Sequence, residues 1–381
     1  MSSTGLDDRA NFPLILHSFM INVKSMKILA IETSCDETAV AVLEIKNNKF
    51  KILANLVSSQ VKLHAKYGGI YPSLAKREHQ KNLPILLSKA LKKNKGQKIN
   101  LVAVTVGPGL EPCLWVGINF AKELAKKIES PLVPVNHIEA HILTNFISSN
   151  FQKIFPAICL VVSGGHTQLI LMKGIKKYKI LGETRDDAAG ECFDKTARIL
   201  GLGYPGGPDI AKEAAKFKEN PRGKNYAIAE FLPRLPRPMI NQKNYDFSFS
   251  GLKTAVLYDF KSRSPKTKKS KKYIRGMAAE IQQAVIDVLI KKTLKAAKGY
   301  KAKSIILGGG VAANDELRKQ FKEKIKEELP NTKYILPDTK YCTDNAVMTA
   351  IAGYYHQREA RKKKNLEDIE AEANQRIEAH K

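Results

Sequence analysis

The sequence predicts an α/β protein in which one supersecondary unit occurs twice, giving two lobes that face each other across a central cleft. Three observations predict it. The order strand, polar loop, strand, turn, strand, helix, strand, glycine loop, helix, strand runs once from residue 27 to about 135 and again from 157 to about 336. The strands read as short apolar runs, and the first long helix carries apolar residues at helical spacing. Polar or glycine-rich loops stand at matching strand ends in both halves, where phosphates and small ligands bind in open α/β folds. A single dinucleotide-binding fold is the runner-up, but no G-x-G-x-x-G follows the first strand.

In order, residues 1–25 form an N-terminal extension, expected to be flexible, with Met26 just ahead of the first clear strand. KILAIE is that strand, TSCDET the polar bend, and AVAVLEI the return strand. Asn47-Asn48 makes a turn into a third strand from Phe50 to about Ser58. Leu74, Leu83, Leu86, Leu87 and Leu91 place a helix after Pro72. LVAVTV then meets Gly107-Pro108-Gly109, a helix runs from near Pro112 to near Glu129, and PLVPV closes the half. The second half reads AICLVV, the loop SGGHT, QLILMKG, a turn at Lys176-Lys177, and YKILGET. Helices follow at roughly 191–200 and 274–297, then SIILG, Gly308-Gly309-Gly310, a helix over 314–328 and KYIL. The expected division is lobe I over 26–155, lobe II over 156–340, and C-terminal helices returning to lobe I over 341–381. Residues 201–250, rich in Gly, Pro and Asn, are expected as long loops over the cleft. Residues 261–275 hold eight basic residues and no acid, either a surface for RNA backbone or a plain exposed loop. From His356 onward charges alternate in sign along an expected helix that is either solvated or packed on a partner.

Composition narrows the function. A chain of 381 residues, 43% of them apolar, is large enough for two cored domains and is neither disordered nor fibrous. Sixty-four Lys and Arg against 37 Asp and Glu give a net charge of +27, which favours a polyanionic partner, nucleic acid ahead of a membrane surface. A lysine-rich solubilising surface is the plainer alternative. Cys35, Cys113, Cys159, Cys192 and Cys342 lack C-x-x-C spacing and read as free thiols of a reducing, cytoplasmic compartment. No apolar run reaches the roughly 18 residues of a membrane span. The opening segment, with acids before a short apolar stretch, makes a poor signal peptide.

Several stretches carry chemistry. His137 and His141 in NHIEAH share one helix face and could share a metal ion; the same spacing also suits two ordinary polar residues of a half-exposed turn. The pair is not that of a zinc protease, because Glu139 lies midway rather than directly after the first histidine. Asp36 and Glu37 in TSCDET place two acids beside a potential phosphate site, to bridge a cation or orient water. Cys35 reads as a small packed residue. Ser163, Gly164, Gly165, His166 and Thr167 form a possible oxyanion cradle, with His166 either donating to a ligand or capping the strand. Asp187, Glu191 and Asp194 share a helix face that suits ribose hydroxyls, or simply the acidic start of a helix. The loop from Gly308 to Asn314 follows a strand and feeds a helix, with Asn314 free to cap it or to bond a base or ribose. Asp344 supplies a carboxylate after the last strand, but spacing alone does not join it to His137.

ETSCDET, YGGIYPSLAKREHQ, TVGPGL, NHIEAH, VSGGHTQL, GETRDDAAGECFDKTARILGLGYPGGP, DFSFSGLKT, GGGVAAN and CTDNAVM occur in order between Met26 and about Tyr355. Together they resemble the bacterial form of the tRNA N6-adenosine threonylcarbamoyltransferase family. The resemblance implies an actin-like, sugar-kinase-like duplicated fold. It also implies transfer of a threonylcarbamoyl group from threonylcarbamoyl-AMP to N6 of adenosine 37 in tRNAs reading codons that begin with adenine, with release of AMP. It assigns His137, His141 and Asp344 to one divalent metal, iron or zinc. It assigns Val161, Val162, Ser163, Gly164, Gly165, His166, Asp194, Gly207 and Asn314 to substrate, and Asp36 and Glu37 to the catalytic end of the cleft. Implied partners are tRNA through its anticodon loop, a synthase that makes the adenylate, a paralogous dimerisation partner and a small ATPase, with no membrane. Departures from the family pattern are Ala140 before the second histidine, Ala346-Val347 after the Asp-Asn pair, and Ala211 with Asp209 near the ribose position.

Overall fold

The computed structural model describes residues 25–47, 49–147, 153–218, 234–362 and 365–377. Lobe I is built on β1 (Met26–Glu32), β2 (Glu37–Lys46), β3 (Lys49–Ser59), β4 (Leu101–Gly107) and β5 (Leu132–Asn136), with helices α1 (Pro72–Lys93) and α2 (Glu111–Lys127). Helix α3 (His137–Leu143) leads out of it. The other lobe has β6 (Ala157–Val162), β7 (Thr167–Gly174), β8 (Lys177–Glu183), β9 (Ser304–Gly308) and β10 (Lys333–Ile335). Its helices are α4 (Ala189–Ile199), α5 (Gly206–Lys218), α6 (Ser250–Ser262), α7 (Lys271–Gly299) and α8 (Asp315–Glu328); α9 (Ala346–Tyr355) follows.

The duplication is visible in the hydrogen bonding. One sheet has strand order β3-β2-β1-β4-β5 and the other β8-β7-β6-β9-β10, the same topology twice. In each, the first three strands pair antiparallel and the last three parallel. The central strands β1, β4 and β6 are apolar and buried almost throughout, as strands covered on both faces must be. One core lies between α1, α2 and the outer face of the first sheet, through Leu83, Ile118 and Val104. A second fills the outer side of the other sheet around α7, through Met277, Ile281 and Phe249. The third joins the lobes: Ile28, Val133, Ile138 and Val347 pack with Cys159, Ile170 and Ile306.

Three expectations are corrected. Residues 206–218, expected within a long loop, form α5, whose Ile210 and Ala214 sit in the core around α7; residues 219–233 of that stretch lie outside the described ones. The basic stretch 261–275 is not one loop: Pro265–Lys268 is a helical turn and Lys271 onward belongs to α7, with Tyr273 fully buried. Among the described residues the charged tail holds no α-helix, only short turns such as Gln357–Glu359. Its described residues run against the first lobe as turns and irregular chain, bonding through Arg361 to Leu132, Glu372 to Val106 and Ala373 to Gly109. Leu366, Ile369 and Ile377 are buried beneath it. A charge pattern without regular apolar spacing specifies no helix, and three apolar anchors suffice for a strap. The expected N-terminal extension lies, apart from Ser25, outside the described residues, as does Asn48 of the turn.

Where the tail begins, His356 donates from Nε2 to Glu139 at 2.7 Å and pairs through Nδ1 with Glu359 at 2.8 Å. Burial disfavours the charged imidazole, but the two carboxylates outweigh it and raise His356 to about 9. A histidine in the unfolded chain titrates near 6.5. The folded value is the higher one, so the contribution to stability is complete below about pH 6.5 and is lost as pH rises through about 9. His356→Gln should therefore cost on the order of 2 kcal/mol at pH 6 and much less at pH 10. Urea unfolding at both pH values checks this; an equal loss at both would refute the pairing.

Candidate metal centre

His137 and His141 stand one turn apart on α3, with ring centroids 4.7 Å apart and ring planes at 83°. Asn136 caps this helix, its side-chain oxygen accepting from Glu139 N–H at 3.0 Å. Asp344 arrives from the other end of the chain, immediately before Asn345, which caps α9 by accepting from Val347 and Met348 N–H. Both donor segments are thus held by an asparagine cap, which satisfies otherwise orphaned N–H groups. Asp344 Oδ1 lies 3.1 Å from His141 Nε2 and 3.6 Å from His137 Nε2. The three donor atoms lie within 4.8 Å of one another. Two imidazole nitrogens and one carboxylate oxygen suit a divalent transition-metal ion.

The surroundings fit that use. Glu32, fully buried at the end of β1, lies 3.3 Å from His137 Nδ1 and accepts from Ser34 N–H at 2.6 Å and Thr105 Oγ1 at 2.5 Å. A carboxylate on the far ring nitrogen is the common support of a metal-ligating histidine, because it fixes the tautomer and aims the other nitrogen. Burial would lower His137, but Asp344 and Glu32 outweigh it and raise it to about 9. Burial would raise Asp344, yet the two histidines hold it below the usual carboxylate range. A divalent cation placed among the three donors would replace the proton that now links them.

Glu139, midway between the histidines, points away from them. It accepts from Tyr178 Oη at 2.8 Å and from His356. Its carboxylate therefore ties α3 to β8 of the second lobe and to the end of α9, and it is spent as a base.

The remaining predicted residues differ in burial and in what they bond. Asp36 is buried and Glu37 half-buried in the β1–β2 bend. Burial first, then Asp36 and Asp344, raise the Glu37 carboxyl well above the carboxylate range. Ser59 Oγ donates to Glu37 at 3.1 Å. Burial, then the nearby carboxylates, likewise push the thiol of half-buried Cys35 up. Val161 and Val162 are core side chains, so only their backbone is offered at the end of β6. Ser163 and His166 close the following loop, with Ser163 N–H on the His166 carbonyl at 2.8 Å and His166 N–H on Ser163 Oγ at 3.1 Å. Gly164 and Gly165 at its tip are exposed and face open space. Burial, then His137 and His141, push His166 down to about 4, leaving it neutral. Gly309 seats the second glycine loop against this strand end: its φ is +86° and a Cβ there would lie 2.3 Å from the Val162 carbonyl, so only glycine fits.

Asn314 caps α8 by accepting from Leu317 N–H at 2.9 Å and donates to Gln282 at 2.9 Å. Asp194 accepts from Gly206 N–H at 2.6 Å, and Gly207 bonds the same carboxylate. Asp187 and Glu191 do not form a free acidic face with Asp194. Lys195 holds both, at 2.7 and 2.8 Å, and Lys253 holds Asp187 at 3.0 Å. Asp209 is committed to Gly203 N–H at 2.9 Å.

Two supporting residues went unread in the sequence. Glu32 could have been found as the one acid ending an otherwise apolar strand. His79 could not: it reaches from α1 to Thr38 Oγ1 at 2.8 Å and to the Cys35 carbonyl at 2.9 Å, and so clamps the acidic bend.

Because His137 must release a proton held up to about pH 9, cobalt or zinc affinity should climb roughly tenfold per pH unit between pH 6 and 8. Chelator competition checks this, and a flat profile would exclude His137 as a ligand. Glu32→Gln should weaken the metal about 10- to 100-fold while the protein stays folded.

The tRNA N6-adenosine threonylcarbamoyltransferase model matches residues 51–351 of the chain. The enzyme of that name from Thermosipho africanus (strain TCF52B) is 48% identical over 335 residues, covering 86% of this chain and 94% of that protein. Its counterpart from Syntrophomonas wolfei subsp. wolfei (strain DSM 2245B / Goettingen) is 45% identical over 339 residues, covering 88% and 94%. Among solved structures, HypF of T. kodakarensis superposes with a TM-score of 0.52 at 15% identity, covering 89% of this chain and 49% of that one. That likeness concerns the fold alone and agrees with a duplicated, actin-like, two-lobed architecture. At 48% identity over 86% of its length, the chain belongs to the tRNA N6-adenosine threonylcarbamoyltransferase family.

Proposed function

We propose that this chain transfers the threonylcarbamoyl group of threonylcarbamoyl-AMP to N6 of adenosine 37 in tRNAs reading codons that begin with adenine. The observation that carries the reading is the convergence of His137, His141 and Asp344 beside the glycine loop, in a chain of this family. His137, His141 and Asp344 would hold the iron or zinc ion, which supplies Lewis acidity toward substrate oxygens when bound. The open tip at Gly164 and Gly165 leaves room for the adenylate phosphate. Gly207 and Asn314 are assigned to its nucleoside, and Asp194 reaches it through the Gly206 turn that it holds. His166, neutral beside the donors, adds no charge there.

In the transfer, the N6 nitrogen of the adenine attacks the carbamoyl carbon, the bond from that carbon to the phosphate oxygen breaks, and AMP leaves. The acyl group arrives already activated, so no covalent enzyme intermediate is needed. Orientation of the two reactants is the chief demand on the protein. We assign to Asp36, buried in the β1–β2 bend, the proton released from N6. Glu37, whose carboxyl is raised by burial and by Asp36, keeps its proton and so spares the anionic adenylate a second negative neighbour.

An anticodon loop suits the cleft because its bases can be splayed out singly. We assign supply of the adenylate to a separate synthase, and assembly to a paralogous dimerisation partner and a small ATPase. Among the described residues no helix is long and apolar enough to cross a membrane; a cytoplasmic site of action is part of this proposal. A metalloprotease reading lacks its base, since Glu139 is committed to Tyr178 and His356.

Mass spectrometry of tRNA nucleosides after incubation with threonine, bicarbonate, ATP and the partner proteins tests the proposal. Threonylcarbamoyladenosine should accumulate only with this chain present. Asp344→Asn should slow it roughly a hundredfold or more, the scale of a few kcal/mol of lost transition-state stabilisation. No modified adenosine with the intact chain would end this reading.

A further inference from the structure

The connection between β3 and α1 carries a surface that the transfer chemistry does not use. After β3 the chain makes a turn of helix and a 3-10 turn ending at Tyr67, then passes through Gly68 and Gly69 to Tyr71. Tyr67 and Tyr71 are 61% and 57% exposed, among the most exposed large apolar side chains of the described residues. Their ring centroids lie 5.9 Å apart with planes at 32°, a splayed pair with open faces. Burying neither ring, the fold gains little from keeping two tyrosines here.

Gly68, in the left-handed conformation at φ +65°, lets the first lobe close on the second: a Cβ there would lie 3.0 Å from the Arg198 guanidinium. Arg198 is the exposed end of α4, one turn beyond Asp194, or about 6 Å along the helix from the catalytic cleft. Arg198 also lines a cavity of about 580 Å³ whose wall includes Phe260, Lys268 and Lys269. Lys268 Nζ sits 5.4 Å over the Phe260 ring. The feature is therefore continuous across both lobes: two open tyrosine faces, a bridging guanidinium and a basic-rimmed aromatic hollow. Lys268 and Lys269 of this rim belong to the acid-free stretch 261–275 of a chain with net charge +27, and Arg198 adds a third cation, so the complement of the rim is a polyanion.

Aromatic platforms beside a cationic track are the chemistry of single-stranded nucleic acid binding, in which rings stack bases and cations follow the phosphates. We propose that this surface docks the nucleotides flanking the reacting adenosine: Tyr67 and Tyr71 stack unpaired bases, while Arg198, Lys268 and Lys269 take the adjoining phosphates. The assignment rests on the RNA-modifying reading above and names the face through which the RNA is held.

The test uses the full-length chain with a fluorescently labelled anticodon stem-loop, its affinity read by anisotropy over a salt series. Tyr67→Ala with Tyr71→Ala should weaken binding roughly tenfold or more with the salt slope kept, whereas Tyr67→Phe with Tyr71→Phe should restore it. Lys268→Ala with Lys269→Ala should instead lower the slope by about 1.4, two phosphates at about 0.7 each. Unchanged RNA affinity in the tyrosine-to-alanine variant would overturn the proposal, as would loss of affinity for a partner protein with RNA binding intact, which would make the surface a protein interface. Nucleoside analysis of the wild-type chain separates the two readings. Stacking-dependent RNA binding without modified adenosine would sink the transferase reading and leave the docking surface standing; modification with unaltered variants would do the reverse.

Discussion

A helix buried on every side has to answer each of its ionisable groups locally, and α3 carries three in seven residues, all of them buried. An unpaired charge in that position costs several kcal/mol, so the helix can exist there only with partners in place. Glu139 takes Tyr178 and His356, His137 takes Glu32, and His141 takes Asp344. These partners come from β8, the end of α9, β1 and the segment before α9. Satisfying one short helix therefore pins both sheets and the C-terminal segment together, and the donor geometry of the metal centre follows from that packing.

The charge distribution has two scales with opposite signs. The whole chain carries +27, while the floor of the cleft gathers Glu32, Asp36, Glu37 and Asp344. The long-range field draws a polyanion in, though screening limits exposed charges to roughly 8 Å at physiological salt. At the floor the buried carboxylates act over shorter distances and oppose phosphate unless a cation or a proton offsets them. The fold supplies both means: donors for a cation, and a Glu37 carboxyl held protonated by burial and by Asp36.

Much of the architecture was legible because the central strands are continuous apolar runs bounded by polar loops, a pattern that does not depend on distant partners. The tail failed as a helix because its alternating charges carried no information about Leu366, Ile369 and Ile377, whose partners are on a remote lobe. Asp187, Glu191 and Asp194 looked like one helix face, but Asp187 precedes α4, and lysines at 195 and 253 commit it and Glu191. Glycine positions showed the opposite behaviour. Gly309 is fixed by a local positive φ and by a close carbonyl, and its place in a strand–loop–helix unit was readable.

By itself, then, the sequence determined the twice-used unit, the loops at its strand ends and the residue types available for chemistry, since each is a matter of local pattern. Only the tertiary structure decided which of them meet. His137 and Glu32 are 105 positions apart, and His141 and Asp344 203. No periodicity spans such distances; the two sheets bring them together by closing on α3 and α9 through a shared core.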